Sequence, residues 1–412
     1  MLKEIKTELK RLDGYLPIVG EEEIYNIRKL AKNLKNIRIL HIDSTAYVGG
    51  VAEMLHNLVP LMRDVGLDVE WRVIEGNKDF FNITKKFHNA LQGADITFTK
   101  EMKRIYFEQN KLNAGFFKGE YDFVIIHDPQ PAAMLAYLQA SKETKFIWRC
   151  HIDTSNPNIE IWNFLRDFLK EYDAAIFTLK KFVKDKNIFK HLFIILPSID
   201  PLSDKNRSLA RKKIEEIARH FDVDPERPLI TQISRFDPWK DPLGVIDVYR
   251  LIKRDIPELQ LALIGSMPVD DPEEGWIIYE KVLRRAGEDE DIHILSDLRG
   301  VGNLEVNAFQ RLSRVIIQKS LREGFGLTVS EGLWKERPVV GGKTGGITIQ
   351  IMDGRTGFLV ESVREAVEKT KLLLLNKETA DKMGREGKRY VRSHFLITRQ
   401  LKDYLSLFNS LL

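Results

Sequence analysis

The sequence predicts an α/β protein built from two doubly wound, Rossmann-like parallel-sheet domains, and three observations predict it. Its 412 residues exceed what one hydrophobic core usually serves. Short apolar runs rich in β-branched and aromatic residues alternate with longer amphipathic segments, the pattern of strands and helices in a parallel sheet. That pattern occurs twice, on either side of a segment rich in turn-forming residues.

In the first set the predicted strands are Ile37 to Ile42, Val69 to Ile74, Phe123 to His127, Phe146 to Cys150, Ala175 to Thr178 and Leu192 to Leu196. They lack clean two-residue alternation, as expected of strands covered on both faces. The connector Pro197 to Asn206 follows, with two prolines, two aspartates and two serines, and the domain boundary is placed after residue 200. The second set comprises Leu229 to Ser234, Leu259 to Ile264, Ile292 to Leu295, Val315 to Gln318, Pro338 to Gly341 and Gly357 to Val360. Residues 1–36 read as a helical extension, and 389–412 as a helix after the last strand that can pack back on the first domain. The expected domains are therefore 37–200 and 201–388, flanked by these two helical pieces.

With 64 basic and 60 acidic side chains the formal charge is only +4, which calls for neither a nucleic-acid partner nor an anionic membrane. Met1 to Arg11 mixes Lys and Glu with apolar residues, unlike a signal peptide. No run reaches the roughly 20 apolar residues needed to span a bilayer. The single cysteine, Cys150, leaves no partner for an intramolecular disulfide and suggests a reducing compartment or a hot habitat. A cytoplasmic protein is expected. The 30% of charged residues fits a thermophile's composition.

Candidate binding residues collect where predicted strands end, the edge at which doubly wound sheets take ligands. After the first strand, Gly49-Gly50 opens a helix whose amides can meet a phosphate, although the pair also suits a plain tight turn. After Leu229 to Ser234 comes SRFDPWKD, in which Arg235 can grip a diphosphate with two bonds and Lys240 adds a point charge. The richest segment is SLREGFGLTVSEGLWKE, Ser320 to Glu336. Glu323 lies in its glycine-containing loop, a helix starts near Gly326 or Leu327 with free N–H groups, and Glu331 follows in the first helical turns. At about 1.5 Å per helical residue the two carboxylates stand roughly 10 Å apart, enough for two different groups of one ligand. Downstream, Gly341-Gly342-Lys343-Thr344-Gly345-Gly346 can line the same floor. In the first domain His127-Asp128 and His151-Ile152-Asp153 end neighbouring strands, where Asp128, His151 and Asp153 suit sugar hydroxyls and His127 suits a buried structural partner. No His-Glu-x-x-His pattern marks a metal site, and no Gly-x-Ser-x-Gly elbow marks a serine hydrolase.

Taken together, Glu323 and Glu331 with seven residues between them, Arg235, Lys240 and Gly345-Gly346 make the chain resemble the family 4 retaining glycosyltransferases. The match runs over nearly the whole chain from Ile37. The resemblance implies the GT-B architecture, two Rossmann-like domains facing across a cleft, with the acceptor on the first and the nucleotide sugar on the second. It implies that Glu323 meets hydroxyls of the donor hexose and Glu331 the ribose, and that Arg235 and Lys240 neutralise the diphosphate. Amides of Gly324, Phe325, Gly326, Leu327 and Thr328 assist, Gly49-Gly50 is the first domain's phosphate loop, and His151 lies near the transferred sugar. Glu323, His151, Arg235 and Lys240 are then the catalytic set, with Asp128 and Asp153 on the acceptor side.

The segments HIDSTAYVGGVAEML, HDPQPA and WRCHIDTS resemble the trehalose-forming branch of that family, which joins the glucose of a nucleoside diphosphate glucose to free glucose. For this branch ADP-glucose is the favoured donor, with UDP- or GDP-glucose open, and the reaction is expected to be reversible. No cofactor is required, Mg²⁺ is allowed to accompany the nucleotide, and a homodimer is open. Gly332 departs from the family pattern, standing where alanine is common; Ser234 and Phe236 replace the usual Gly and Leu. Other readings kept open are a family 4 hexosyltransferase with another acceptor, a nucleotide-sugar epimerase and a non-enzymatic nucleotide-sugar sensor.

Overall fold

A computed structural model describes residues 2–47, 49–266 and 272–412. Met1, at the start of the expected helical extension, and Val48, inside the expected phosphate loop, lie outside the described residues. The chain divides into two compact units, Met1–Pro197 with Ile397–Leu412, and Ser198–Leu396.

Unit 1 is built on a seven-stranded sheet. Its strands are β1 (Lys3–Glu4), β2 (Arg38–Asp43), β3 (Asp68–Val73), β4 (Phe123–His127), β5 (Lys145–Cys150), β6 (Ala174–Phe177) and β7 (His191–Ile194). They run in the order β1-β3-β2-β4-β5-β6-β7, all parallel except β1, which pairs antiparallel with β3. β3 lies on one side of β2 and β4 on the other, so the winding reverses between β2 and β4. Unit 2 carries six parallel strands, β8 (Leu229–Ile233), β9 (Gln260–Gly265), β10 (Ile292–Ser296), β11 (Val315–Gln318), β12 (Val339–Gly342) and β13 (Gly357–Val360). Their order, β10-β9-β8-β11-β12-β13, reverses between β8 and β11. Each unit thus has one topological switch point, where crevices open beyond the strands' carboxyl ends.

The central strands β4, β8 and β11 are buried at every residue, the fully covered state that their unbroken apolar runs imply. β7 is different: none of its residues is buried, as befits an edge. On one face of the first sheet, Ile39, Phe123, Ile125 and Ile147 pack with Leu55 and Leu58 of the helix Gly50–Asp64 and with Leu401, Tyr404, Leu405 and Phe408 of the helix Ile397–Leu411.

Both helical flanks differ from the sequence reading. Residues 1–36 are not helical throughout: β1 joins the sheet, with the Ile5 amide donating to Trp71 O at 2.8 Å, before helix Glu21–Ala31 begins. The stretch 389–412 is not one helix either. One helix ends at His394, Leu396 bridges to Ile199 in strand fashion, and a new helix starts at Ile397. Leaving the helix there gives Leu396 a backbone partner and carries the chain from unit 2 back to unit 1.

Replacing Leu405, which is fully buried in the unit 1 core, by Ala should cost about 2–5 kcal/mol. The expected reading is a lower urea midpoint for the transition followed by unit 1 tryptophans, with that of unit 2 unmoved.

Candidate active site

The switch point of unit 2 brings two loops together. The first leaves β8, where Asp237 Oδ1 accepts from the Trp239 amide at 2.8 Å and closes the proline turn. Asp241 follows in the left-handed region, at φ 51°, and caps the helix Pro242–Lys253 by accepting from the Gly244 amide at 3.1 Å. The second loop leaves β11 and ends at Gly326, at φ 81°, ahead of the helix Leu327–Trp334. No side chain caps that helix, so its first turn keeps amides for an anion.

Lys240 Nζ donates to Glu323 Oε2 at 2.7 Å across these loops, and Ser320 Oγ donates to the same oxygen at 3.2 Å. Their side chains are only 15% and 9% exposed, so water screens the pair weakly. The loops are also tied through the backbone, with the Leu321 amide donating to Trp239 O at 2.8 Å, and the Arg322 guanidinium stacks 4.3 Å from the Trp239 ring centre. Lys319 pairs with Asp241. Arg235 stays exposed at the rim, 3.5 Å from Asp237.

Gly345-Gly346 turns out to buttress this loop. An ideal Cβ on Gly345, at φ 46°, would stand 1.5 Å from Glu323 O, and one on Gly346 would stand 2.5 Å from Phe325 Cα. Only glycines permit that approach. The Gly346 amide donates to Gly324 O at 3.2 Å, and Gln350 Nε2 donates to Phe325 O at 2.5 Å. Phe325 is buried beside Phe395, and Thr328 Oγ1 donates to Ile233 O at 3.2 Å. Gly332 has a local cause too, since a Cβ there would stand 2.6 Å from Ile316 Cδ1.

Glu331 is placed apart from Lys240 and Glu323. It is fully buried, with Lys205 Nζ 3.1 Å from Oε1 and Gln310 Nε2 donating to Oε2 at 3.0 Å. Burial pushes its carboxyl up, but Lys205, Lys335 and Gln310 outweigh that and hold it below the usual carboxylate range. Lys205 comes from the connector and Gln310 from the helix Asn303–Leu312, partners with no local sequence signal.

At the switch point of unit 1, Gly49, at φ 92°, precedes the helix Gly50–Asp64, which no side chain caps. Asp128 follows β4 at φ 59°, a positive φ that Asp tolerates better than most residues. Its Oδ1 accepts from the His151 amide at 2.7 Å, so Asp128 and His151 are brought together. Asp153 instead accepts from the Ser155 amide at 3.0 Å, a local turn. His127 is buried between two further imidazoles: His41 Nδ1 lies 3.0 Å from its Nε2, and His151 Nε2 lies 3.0 Å from its Nδ1. Beside them Asp43 accepts from the Ser44 amide at 2.7 Å, leaving its buried Oδ2 without a partner among the described residues. Burial, reinforced by the neighbouring Asp128 carboxylate, pushes Asp43 up to about 8, and burial brings Asp128 to about 7. His41, Asp43, Lys205, Gln310, Lys319 and Ser320 were not singled out by sequence. Lys319 and Ser320 had a signal, since they directly follow a predicted strand.

Among the described residues no group of three or more His, Cys, Asp or Glu side chains is placed to hold a metal ion, and no helix is long and apolar enough to cross a membrane.

Comparison with known proteins places these features in a family. Residues 41–184 match the family described as "Trehalose synthase, N-terminal domain", and 213–390 match "Glycosyl transferases group 1". A trehalose synthase from Thermococcus litoralis is 54% identical over 98% of both chains. The chain belongs to the trehalose synthase family. A second trehalose synthase, from Rubrobacter xylanophilus, is 48% identical over all of both chains. Like the family, the chain is a glycosyltransferase. Its fold is of the GT-B type: an α,α-trehalose 6-phosphate synthase from Burkholderia multivorans superposes with a TM-score of 0.69 over 92% of this chain and 96% of that one, at 14% identity.

Two outcomes are expected. Lys205→Met strips Glu331 of a charged partner and should cost about 1.5–3 kcal/mol, read as a lower melting temperature. The folded state also holds a proton on Asp43 that the unfolded chain releases near its usual value. Its contribution is therefore complete below about pH 4 and declines as pH rises toward about 8. Asp43→Asn should flatten that decline in a plot of melting temperature against pH.

Proposed function

We propose that the chain is a retaining glucosyltransferase that makes α,α-trehalose from a nucleoside diphosphate glucose and free glucose, reversibly, with ADP-glucose the favoured donor. The observation that carries this reading is the Lys240–Glu323 pair beside the uncapped start of the helix Leu327–Trp334. It sets a cation and a helix N-terminus for a diphosphate next to a carboxylate oxygen, Glu323 Oε1, that has no partner among the described residues. Relatives named trehalose synthase, aligned over essentially the whole chain, support the product.

In this reading Glu323 accepts from hydroxyls of the donor glucose, and Lys240, Arg235 and the amides of 324–328 take the diphosphate. Glu331 accepts from the ribose once Lys205 turns aside. In the first unit Asp128, His151 and Asp153 hold sugar hydroxyls, and Gly49-Gly50 adds amides for phosphate.

Retention fits a same-face displacement. The anomeric carbon loses its bond to the diphosphate oxygen as the acceptor hydroxyl oxygen bonds on the same side. The hydroxyl proton passes to an oxygen of the departing phosphate, and a nucleoside diphosphate leaves. A glycosidase-type nucleophile has no support, since Glu331 is buried in its own ion pair and Glu323 is held by Lys240. Arg235, Lys240 and the helix terminus stabilise the charge that develops on the leaving group. They supply what a divalent ion supplies elsewhere, so transfer should persist in EDTA.

The test incubates the protein with ADP-, UDP- and GDP-glucose, with and without free glucose, and assigns the disaccharide linkage by NMR. The reading requires α,α-trehalose that appears only with glucose present; product formed without an acceptor would indicate an epimerase. Arg235→Ala and Glu323→Ala should each lower kcat/KM by about 10²-fold or more. Wild-type kinetics in either variant would remove that residue from the donor site.

A further inference from the structure

We propose that Lys319 protects the diphosphate site from a nearby negative charge, by holding and neutralising the carboxylate of Asp241, which follows Lys240 directly in the chain. Lys319 is in this sense a positioning residue for the donor. The role rests on the proposed meeting of Lys240 with a diphosphate.

Two ion pairs join the loops that leave β8 and β11, and they run in opposite senses. Lys240 of the first loop meets Glu323 of the second, whereas Lys319 of the second meets Asp241 of the first. The four charges sum to zero. Lys319 stands one residue beyond β11, and the side chains of Lys319 and Asp241 are only 8% and 20% exposed. The carboxylate is engaged on both oxygens: Oδ1 accepts from the Gly244 amide at 3.1 Å, and Oδ2 accepts from Lys319 Nζ. A Cβ on Gly244 would collide with that Oδ2, so glycine makes room for the carboxylate at the start of the helix Pro242–Lys253. Lys240 O in turn accepts from Nε2 of buried Gln232 at 2.7 Å. The backbone of 240–241 is thus tied at both residues.

A helix cap needs an oxygen, not a charge. Asn caps about as well as Asp and also tolerates positive φ, so neither the cap nor the φ of 51° at position 241 calls for a carboxylate. What Asp adds there is a negative charge, mostly withdrawn from water and so weakly screened. Without Lys319 the four-charge set would be left net negative, in front of the anion that Arg235, Lys240 and the helix terminus are to take. The repulsion grows with the anion's own charge. It is smaller for a nucleotide sugar than for the released nucleoside diphosphate, whose terminal phosphate is no longer esterified. Lys319 therefore bears most on the leaving group as its charge develops.

The test measures, by calorimetry on the full chain, binding of the nucleoside diphosphate that the transfer assay selects, ADP being expected. Lys319→Met should weaken it about tenfold at low salt, with a smaller loss at high salt and a smaller loss for the nucleotide sugar. Adding Asp241→Asn to Lys319→Met should restore the affinity, since the charge goes and the cap stays. Lys319→Arg, which keeps the charge, should bind like the parent chain. Asp241→Asn alone leaves Lys319 unanswered and should bind more tightly, an outcome that decides the matter even if Lys319→Met does not fold. A double variant as weak as Lys319→Met, or weaker binding in Asp241→Asn alone, would make the pair a mere tether between loops and overturn the proposal. Lys240→Ala separates the two readings. Unchanged affinity there overturns the donor-site reading and this role with it, whereas a loss there beside an unaffected Lys319→Met overturns this role alone.

Discussion

The ion pair between Lys240 and Glu323 is the contact on which the arrangement of unit 2 depends. Its partners stand 83 positions apart and follow β8 and β11, the strands that flank the switch point. Charges that are mostly withdrawn from water gain little net stability, because desolvation offsets attraction. What the pair supplies is register between two loops. Trp239, Leu321 and Arg322 hold the same loops together from the other side, and Gly345 lets the chain behind Glu323 approach closely enough to support it. A cation, a carboxylate and a helix terminus are thereby set in place before any ligand arrives, which spares the reorganisation that a flexible site would need.

The first unit is organised by the opposite electrostatic choice. Burial raises Asp43 and Asp128 and lowers His41, His127 and His151, so the groups gathered at its switch point are drawn toward their neutral forms. Neutral donors and acceptors suit an uncharged polyol, as fixed cations suit a diphosphate. The proposed division of substrates between the units thus follows a division of charge. Arg149 is the exception, a fully buried guanidinium on β5 that is anchored by one bond to Ile195 O at 2.7 Å.

Much of this was legible in the sequence where the signal is local. The twelve predicted strands match β2 to β13 to within two residues at each end, because apolar runs of four to six residues bounded by turn formers have few other readings. Glu323, Lys240 and the glycine loops were legible because strand ends and helix starts mark them. The partners of Glu331 were not, since Lys205 and Gln310 reach it from segments 126 and 21 positions away. His41 and His127 lie in β2 and β4 and His151 just beyond β5, and only the pairing of those strands brings the three together. Asp153 and Ser155 illustrate the converse: a two-residue turn was available to the carboxylate and took it. β1 was missed because two residues, Lys3 and Glu4, are too few to show a period.

The helix Ile397–Leu411 completes the core of unit 1, yet the chain makes it only after all of unit 2. Unit 2 is continuous in sequence and can close while it is being synthesised. Until the ribosome delivers Leu401, Tyr404 and Phe408, the face of the first sheet that holds His41 and Arg149 lacks its cover. Assembly of unit 1 therefore finishes last, after unit 2 has formed.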